Sequence, residues 1–394
     1  MPAGEASGKP AARRESLHIP AGTSLLTFCT VEALLEELLM RCHLLAVCVG
    51  MVALLTGMQA QSAEPLRAGV IGCDTSHVMA FYGALADPKA EGDLADVKIV
   101  AAFPGGTPDN PSSWDRVEKY TAQLREKGVA IVDSIPKLLE LVDVVFLESV
   151  DGRPHLEQAR PVILARKPLF VDKPIAASLS DALEIFRLAK EHNCPIFSSS
   201  SLRFGKWREA NLDPKVGPVR GCDAWSPCSL EEHHPDLFWY GIHGVETLFS
   251  VMGTGCKSVV RVQTDSTELV VGTWADGRVG TFRGLRDGKR GYGAMVFGVK
   301  DNVAYVGDGA PREPTTDTNE KDKDKRRRTL PNYEGYKPLL IEICKFFRTG
   351  KPPVSAEETI EIIAFMEAAD QSKRQGGCPV TLESVLTKAG SARQ

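Results

Sequence analysis

The residues with the clearest chemical potential follow a short apolar run. Asp172, Lys173 and Pro174 come directly after Leu169–Val171. Pro174 has no amide hydrogen for a sheet, and it restricts the residue before it to an extended conformation. The pattern predicts a buried strand that presents Lys173 at its carboxyl end, where open α/β sheets bind their ligands. There Asp172 would hold the ammonium group for acid/base chemistry; the alternative is a surface lysine in an ordinary turn.

A second group of polar residues lies at positions 231–246. Tyr240, His243 and Glu246 are spaced by three residues, so they share one face of a helix. His243 is therefore a candidate site residue, with the carboxylates of Asp236 and Glu246 close to it in sequence. The alternative is a histidine buried in the core.

Metal and disulfide chemistry have weaker support in the sequence. His233 and His234 are adjacent, so their side chains diverge, and no third ligand follows at a suitable spacing. We therefore predict no metal site. The chain has ten cysteines; the spacing of Cys222 and Cys228 favours a loop disulfide, and most of the others are predicted to be buried thiols.

The first predicted strand ends in a turn at positions 72–77, which reads Gly-Cys-Asp-Thr-Ser-His. Gly72 permits a tight turn, and Thr75 and Ser76 place hydroxyl and amide donors at the start of the next helix, where anions bind. Asp74 would repel a phosphate group unless it turns away to cap that helix. The alternative is that the turn is simply an N-cap cluster.

The order of these features resembles the Gfo/Idh/MocA family of oxidoreductases. The strand at 142–147, the helix after Pro154-His155 and the Asp-Lys-Pro variant of the family's Glu-Lys-Pro tripeptide occur in the family's order. The resemblance extends from Leu66 to the C-terminus. It implies hydride transfer between NAD or NADP and a sugar, polyol or related hydroxy compound. It also places Lys173 between nicotinamide and substrate, and makes His243 the acid/base residue on the substrate hydroxyl.

The sequence departs from the family pattern at three points. Of the glycine motif G-x-G-x-x-G only Gly72 remains, with Asp74 and His77 at the other two glycine positions. Trp239 stands where the family has the aspartate that pairs with the histidine, so Asp236 or Glu246 would have to supply the carboxylate that orients His243. No acidic residue follows the second strand at 103–106, so the choice between NAD and NADP stays open.

The resemblance implies two further sets of site residues beside the catalytic pair Lys173 and His243. The residues near the dinucleotide are Gly72, Asp74, Thr75, Ser76, His77, Glu148, Asp172 and Lys173. The residues near the substrate are Arg203, Asp236, Tyr240 and Glu246. Arg203 belongs to this set because it follows the last predicted strand of the first domain, where the family often has a basic residue.

The elements that must position these residues change in character along the chain. Strand-like runs and helical patterns alternate from 66 to 198, which predicts a parallel doubly wound sheet. After 202, strands follow one another without helices, which predicts a mostly antiparallel sheet. The expected fold is α/β plus α+β, with a Rossmann-like dinucleotide-binding domain at 64–200 and a substrate and oligomerisation domain at 201–394. The charged segment 311–328 is predicted to be a mobile loop.

Residues 1–63 fit neither domain and are predicted to form a leader. Arg41 precedes an apolar run at 44–55, and small residues follow at 57–63. This order is typical of a signal peptide at 40–62 and is short for a membrane span, although a retained anchor is an alternative. We expect an over-extended start before Met40, export to the periplasm or the exterior, and a cytoplasmic protein if the leader is not used.

The net charge of −4 argues against nucleic acid as a partner. The expected partner is a small molecule, a carbohydrate, and the chain is a candidate homo-oligomer. Because exported proteins lack a soluble NAD(P)H pool, one alternative is redox-neutral sugar conversion with a tightly bound dinucleotide. A second alternative is a non-catalytic ligand-binding protein with a degenerate nucleotide site, which Asp74, His77 and Trp239 favour.

Overall fold

The computed structural model describes residues 64–288, 290–306, 310–312 and 335–391, together with the isolated residues 40, 41 and 43. The chain divides into two units, Met1–Ala63 and Glu64–Gln394. Most of the predicted signal peptide and most of the predicted loop 311–328 lie outside the described residues, and both stay predictions. Among the described helices, none combines the length and the apolar character that a membrane crossing requires.

The first part of the second unit forms a six-stranded parallel sheet, as predicted. Its strands are β1 (Leu66–Ile71), β2 (Val97–Phe103), β3 (Ala130–Ile131), β4 (Val144–Leu147), β5 (Leu169–Val171) and β6 (Ile196–Ser198). They lie in the order β3-β2-β1-β4-β5-β6. The direction of strand addition therefore reverses between β1 and β4, and the carboxyl ends of these two strands flank the point where open α/β sheets bind ligands.

Helices connect these strands and cover both faces of the sheet. They are α1 (Ser76–Leu85), α2 (Pro111–Glu126), α3 (Ile135–Leu141), α4 (His155–Leu164) and α5 (Leu179–Glu191). Ser178 caps α5 by accepting a hydrogen bond from the Asp181 amide. The buried residues Ala182, Ile185 and Ala189 recur at helical spacing along α5, so the helix presents one apolar face to the sheet.

The rest of the unit contains a mixed eight-stranded sheet. Its strands are β7 (Val219–Pro227), β8 (Cys256–Gln263), β9 (Thr267–Trp274), β10 (Val279–Leu285), β11 (Gly293–Gly298), β12 (Asn302–Val306), β13 (Ala310–Arg312) and β14 (Val380–Thr381). Their order is β13-β12-β11-β7-β10-β9-β8-β14. Only the described β7–β10 pair is parallel, so the prediction of a mostly antiparallel sheet is confirmed. Pro311 and Arg312, which the sequence assigned to a loop, belong to β13.

The helices of this second part are α6 (Asp236–Trp239), α7 (Ile242–Met252), α8 (Lys337–Thr349), α9 (Ala356–Arg374) and α10 (Leu382–Ser391). Short 3-10 helices at Gly92–Asp96, Ser201–Phe204 and Lys206–Asn211 complete the described elements.

Helix α8 returns to the first sheet and covers part of its apolar face. Phe346 packs edge-on against Phe197 of β6, with ring centroids 4.9 Å apart, and Phe347 packs against Phe146 of β4 at 5.0 Å. Phe170 of β5 lies in the same cluster. Each of these rings contributes about 1.5–3 kcal/mol by its burial, so a helix distant in sequence completes the core beneath the ligand-binding edge.

Cys222 and Cys228 do not form the predicted disulfide. Both are free and buried, because Cys222 lies within β7 and Cys228 directly follows it. Six residues of extended strand separate their Cα atoms by about 20 Å, far beyond the reach of a disulfide. The Cys228 thiol instead donates to Glu268 at 2.8 Å.

Candidate functional site

The candidate site lies where the turns after β1, β4 and β5 meet at the carboxyl edge of the parallel sheet. Gly72 has a φ of +91°, and a Cβ built on it would lie 2.4 Å from the amide nitrogen of Ser149. Only glycine permits both this conformation and this approach. The one glycine kept from the family motif therefore brings the turns after β1 and β4 together.

Asp74 bridges three segments at this edge. Its carboxylate is fully buried and accepts hydrogen bonds from the Ser113 hydroxyl (2.5 Å) and the Val150 amide (3.1 Å). It does not cap α1; the cap is Thr75, whose hydroxyl accepts from the His77 amide. Burial raises the pKa of Asp74 to about 6, although both hydrogen bonds act to lower it. Asp74 thus brings a titrating carboxylate into the crevice.

His77, Glu148 and Asp172 form a buried cluster beside this crevice. The His77 Nδ1 atom lies 3.1 Å from Asp172 Oδ2 and 3.6 Å from Glu148 Oε2. Glu148 and Asp172 are 0% exposed. Among the described residues, no group makes a hydrogen bond of good geometry to any of their four carboxylate oxygens. Three residues that the family resemblance assigned to the cofactor therefore lie together, with polar atoms that no protein hydrogen bond satisfies.

The charges in the cluster shift one another's titration. Burial alone would lower the pKa of His77, but the Asp172 and Glu148 carboxylates more than offset it and raise the pKa to about 9. Burial raises the pKa of Glu148 to about 7 despite the opposing effect of His77. Burial also acts to raise the pKa of Asp172, yet His77 and Lys173 together hold it well below its usual range. At neutral pH the cluster is therefore an imidazolium facing one firmly ionised carboxylate.

Lys173 is presented at the end of β5 as the sequence predicts. Its side chain is mostly buried, with Nζ 3.6 Å from Asp172 Oδ2. The His155 ring links the turn after β4 to the turn after β5. Its Nδ1 lies 3.0 Å from the Pro174 carbonyl oxygen, and its Nε2 lies 2.8 Å from the Ser149 carbonyl oxygen. The lysine is thus held on a rigid part of the sheet edge.

His243 lies in the first turn of α7 and is buried. Its Nδ1 is 2.7 Å from the Ser200 hydroxyl, and the Ser200 amide donates to Glu246. Burial and the nearby positive charge of Lys173 lower the pKa of His243 well below its usual value. His243 is therefore a neutral imidazole in the electrostatic neighbourhood of Lys173, a state suited to a general base.

The predicted substrate residues are only partly brought together. Arg203 pairs with Glu246 at 2.7 Å and also with Glu358. The Tyr240 hydroxyl lies 2.9 Å from that of Tyr292, and its ring packs edge-on to His243. Of these residues Tyr240 contacts His243 directly, and Glu246 reaches it through Ser200.

Asp236 is a correction to the sequence-based assignment. Its carboxylate pairs with Arg261 (3.0 Å) and with Lys373. These partners hold Asp236 in a separate ion cluster on the second sheet, so it does not orient His243. The orienting partner is Ser200, which sequence reasoning missed; its only signal was the serine run that follows β6.

These features define a class of fold: a Rossmann-type parallel sheet followed by a second, mixed sheet. The profile of the GFO_IDH_MocA family, described as "Oxidoreductase family, NAD-binding Rossmann fold", matches residues 106–200. The predicted resemblance to the Gfo/Idh/MocA family is therefore confirmed over these residues. The prediction of an NAD(P)-binding oxidoreductase is confirmed at the level of this family. No curated protein matches the sequence.

Solved structures with similar folds include three dehydrogenases or oxidoreductases. The WlbA dehydrogenase from Bordetella pertussis, in complex with NADH and UDP-GlcNAcA, is 17% identical, with a TM-score of 0.62 and coverage of 81% of this chain and 98% of that one. An oxidoreductase from Agrobacterium radiobacter, in complex with NAD+, L-tartaric acid and magnesium, is 14% identical, with a TM-score of 0.62 and coverages of 82% and 99%. Apo scyllo-inositol dehydrogenase from Lactobacillus casei is 13% identical, with a TM-score of 0.61 and coverages of 81% and 99%. At these identities the similarity shows the fold.

The crevice fits a dinucleotide, with one condition. The close turns at Gly72 and the amides at the N-terminus of α1 suit a pyrophosphate. The two donors that Asp74 occupies, the Ser113 hydroxyl and the Val150 amide, are groups that a phosphate oxygen also accepts from. An ionised Asp74 would repel that phosphate, whereas a protonated Asp74 would not.

Proposed function

We propose that this chain catalyses NAD(P)-dependent oxidation or reduction of a hydroxyl-bearing small molecule, such as a sugar or polyol. The observation that carries the proposal is the placement of Lys173 and a neutral His243 in one buried electrostatic neighbourhood, at the ligand-binding edge of the sheet. Removal of a hydroxyl proton requires a neutral base that accepts the proton and is assisted by a cation that stabilises the negative charge left on the oxygen.

Each residue has a defined part in this proposal. His243, held at Nδ1 by Ser200, takes the proton of the substrate hydroxyl at its other ring nitrogen. Lys173 stabilises the oxyanion that develops as the proton leaves, and Asp172 holds the ammonium group in place. A bound nicotinamide supplies the hydride acceptor or donor.

The residues proposed to hold the dinucleotide are those at the first and third turns of the edge. Gly72 admits the close turn, and Thr75 and Ser76 begin α1, whose free amides attract the pyrophosphate. Lys173 lies at the end of β5 beside the proposed nicotinamide position. Because no acidic residue follows β2, the proposal does not distinguish NAD from NADP.

The proposed substrate class rests on the polar surroundings of His243 and on the similar structures. Their named ligands and substrates, UDP-GlcNAcA, L-tartaric acid and scyllo-inositol, all carry hydroxyl groups. Export through the predicted signal peptide and assembly into a homo-oligomer are further parts of the proposal. N-terminal sequencing of the exported protein and its mass in solution test these two points.

The deciding experiment measures dinucleotide binding by the purified chain. Titration with NADH and NADPH, followed by nicotinamide fluorescence, should show binding of at least one of them, and a panel of sugars, polyols and hydroxy acids should then reveal turnover. Absence of binding to both dinucleotides at millimolar concentration, at pH 5.5 as well as pH 8, would contradict the proposal.

Asp74 favours a second candidate function, a ligand-binding protein that has lost its dinucleotide. Its buried carboxylate already takes two donors of the crevice. In that case a sugar would bind without any nucleotide, and Asp74→Asn would not restore nucleotide binding. A third candidate keeps a tightly bound dinucleotide and performs redox-neutral sugar conversion; cofactor that survives gel filtration, with product but no released NADH, would identify it.

A further inference from the structure

We propose that His77, Glu148 and Asp172 form a binding site for a divalent metal ion. The three residues come from the start of α1, the residue after β4 and the residue after β5. They therefore meet at the carboxyl edge of the parallel sheet, although Glu148 follows His77 by 71 positions and Asp172 follows Glu148 by 24. The sequence directed attention to a different pair, His233 and His234.

The geometry of the cluster suits one shared ion. One ligand atom from each residue lies within 4.8 Å of the others. His77 Nδ1 is 3.1 Å from Asp172 Oδ2 and 3.6 Å from Glu148 Oε2. Two ligands that each lie about 2.0–2.2 Å from one ion are separated by roughly 3–3.6 Å at octahedral or tetrahedral angles. The nitrogen-to-oxygen distances therefore match a coordination sphere without rearrangement of the backbone.

The burial of the carboxylates is the second, independent observation. All four oxygens of Glu148 and Asp172 are buried and receive no hydrogen bond of good geometry from the described residues. His77 Nδ1 is likewise buried without such a hydrogen bond. Buried polar groups in folded proteins are almost always satisfied, and an exception calls for a missing partner. A divalent cation that takes the place of a proton on His77 Nδ1 is a partner that all three atoms can bind at once.

The donor set indicates which ions would bind. One imidazole nitrogen and two carboxylate oxygens suit Zn²⁺ or Mn²⁺ better than a soft ion such as Cu⁺. Three protein ligands leave at least one coordination position open for an exchangeable oxygen ligand.

Lys173 decides what that oxygen ligand is. Its ammonium group lies 3.6 Å from Asp172 Oδ2, so it adds a positive charge beside the ion. The two carboxylates balance a divalent ion, and Lys173 then remains for an anionic ligand. The site therefore selects an oxyanion, such as a carboxylate or a deprotonated hydroxyl, to complete the coordination sphere. This inference does not depend on the proposed hydride transfer.

The test uses the full-length protein, freed of metal with a chelator and then dialysed. Zn²⁺ and Mn²⁺ are added separately, without dinucleotide or substrate, and stoichiometry and affinity are measured by elemental analysis and calorimetry. We expect one equivalent to bind. Co²⁺ provides a spectroscopic probe, because coordination by the three side chains gives visible absorption bands that differ from those of hydrated Co²⁺.

Two conservative variants locate the site. Glu148→Gln and Asp172→Asn keep the side-chain shape, and each should weaken metal binding at least about tenfold. His233→Gln is the matched control, because His233 also lies beside a carboxylate, Glu231, but outside the cluster. It should leave the affinity unchanged.

The outcomes separate this inference from the proposed function. Wild-type protein that binds none of the three ions would overturn the metal site, as would equal binding by wild type, Glu148→Gln and Asp172→Asn. Loss of binding in His233→Gln alone would also overturn it, since the ion would then sit at the other histidine group. Metal uptake by a protein that binds neither dinucleotide would uphold the metal site and contradict the hydride transfer.

Discussion

The protein buries charged groups in two clusters, which differ in whether their carboxylates are hydrogen-bonded to cations. On the second sheet, Arg261 is 1% exposed and contacts Asp236, Glu268 and Asp370. Each of these carboxylates has at least one oxygen hydrogen-bonded to Arg261 or to another cation. At the edge of the first sheet, Glu148 and Asp172 are equally buried and have no such hydrogen bond among the described residues.

The two clusters also differ in how firmly their cations are fixed. Arg286 pairs with Glu268 at 2.7 Å, and Lys373 pairs with Asp236, so three permanent cations stand against three carboxylates. In the crevice the partners are Lys173 and an imidazole whose charge depends on a proton. On the second sheet, loss of one cation would leave buried carboxylates without their pair, whereas at the sheet edge the unsatisfied carboxylate oxygens are left for a ligand.

The largest expected effect comes from breaking the well-paired cluster. Arg261→Leu leaves Glu268 and Asp370 buried without their central cation, so the free energy of unfolding should fall by about 3–5 kcal/mol. Urea denaturation measures it. Arg187→Leu, at an exposed arginine that also pairs with two glutamates, is the control and should change stability little. Similar small losses of stability in both variants would show that the Arg261 cluster contributes no more than an exposed ion pair.

Lys173→Met should affect catalysis and spare stability. Loss of the group that stabilises the developing oxyanion should lower kcat by roughly 10²–10³-fold, while the melting temperature stays close to that of the wild type. Steady-state kinetics on a substrate found in the panel, with thermal unfolding of the same samples, gives both numbers. A Lys173→Met variant with a lower melting temperature but the wild-type kcat would show that Lys173 stabilises the fold and takes no part in catalysis.

Asp74 sharpens the comparison through pH. Burial raises the pKa of Asp74 to about 6, so the carboxylate is neutral below that pH and ionised above it. Since only the ionised form repels a pyrophosphate, NADH affinity should weaken as pH rises through 6, by up to about tenfold per unit. Fluorescence titrations between pH 5 and 8 measure the trend. In the Asp74→Asn variant the affinity for NADH should be higher than in the wild type at pH 8 and nearly independent of pH. An unchanged dependence of affinity on pH would show that another group controls binding.

The smallest expected effect is that of Glu148→Gln on the stability of the metal-free protein. The described residues donate no hydrogen bond of good geometry to the wild-type carboxylate, so an amide of the same shape should change the free energy of unfolding by less than about 1 kcal/mol, or raise it. Urea denaturation in the presence of a chelator tests this. A loss as large as that of Arg261→Leu would mean that Glu148 is as well paired as the carboxylates of the second sheet.

Much of the fold was predictable because the local sequence already determines it. The strand β5 has the predicted bounds, since its apolar run ends directly at Asp172 and Pro174. β7 and β8 carry no comparable local signal. Both mix charged residues or glycine with apolar ones, and their pairing partners come from later in the chain; β7 lies between β11 and β10.

The candidate site was predictable only where its residues are close in sequence. Lys173 was found because Asp172 and Pro174 stand beside it. Ser200 and His243 are 43 positions apart, and spacing of that kind carries no local signal. The same applies to His77, which was assigned to the turn after β1 but meets carboxylates from β4 and β5 only in three dimensions.

The position of α8 has a consequence for how the protein is made. Phe146, Phe170 and Phe197 are synthesised long before Phe346 and Phe347, the rings that cover them. During synthesis, a newly formed Rossmann sheet therefore exposes an apolar aromatic face to solvent until nearly the whole chain has left the ribosome. A fragment ending near residue 200 would keep that face permanently, so nucleotide-binding modules cut from this protein should aggregate unless α8 is supplied.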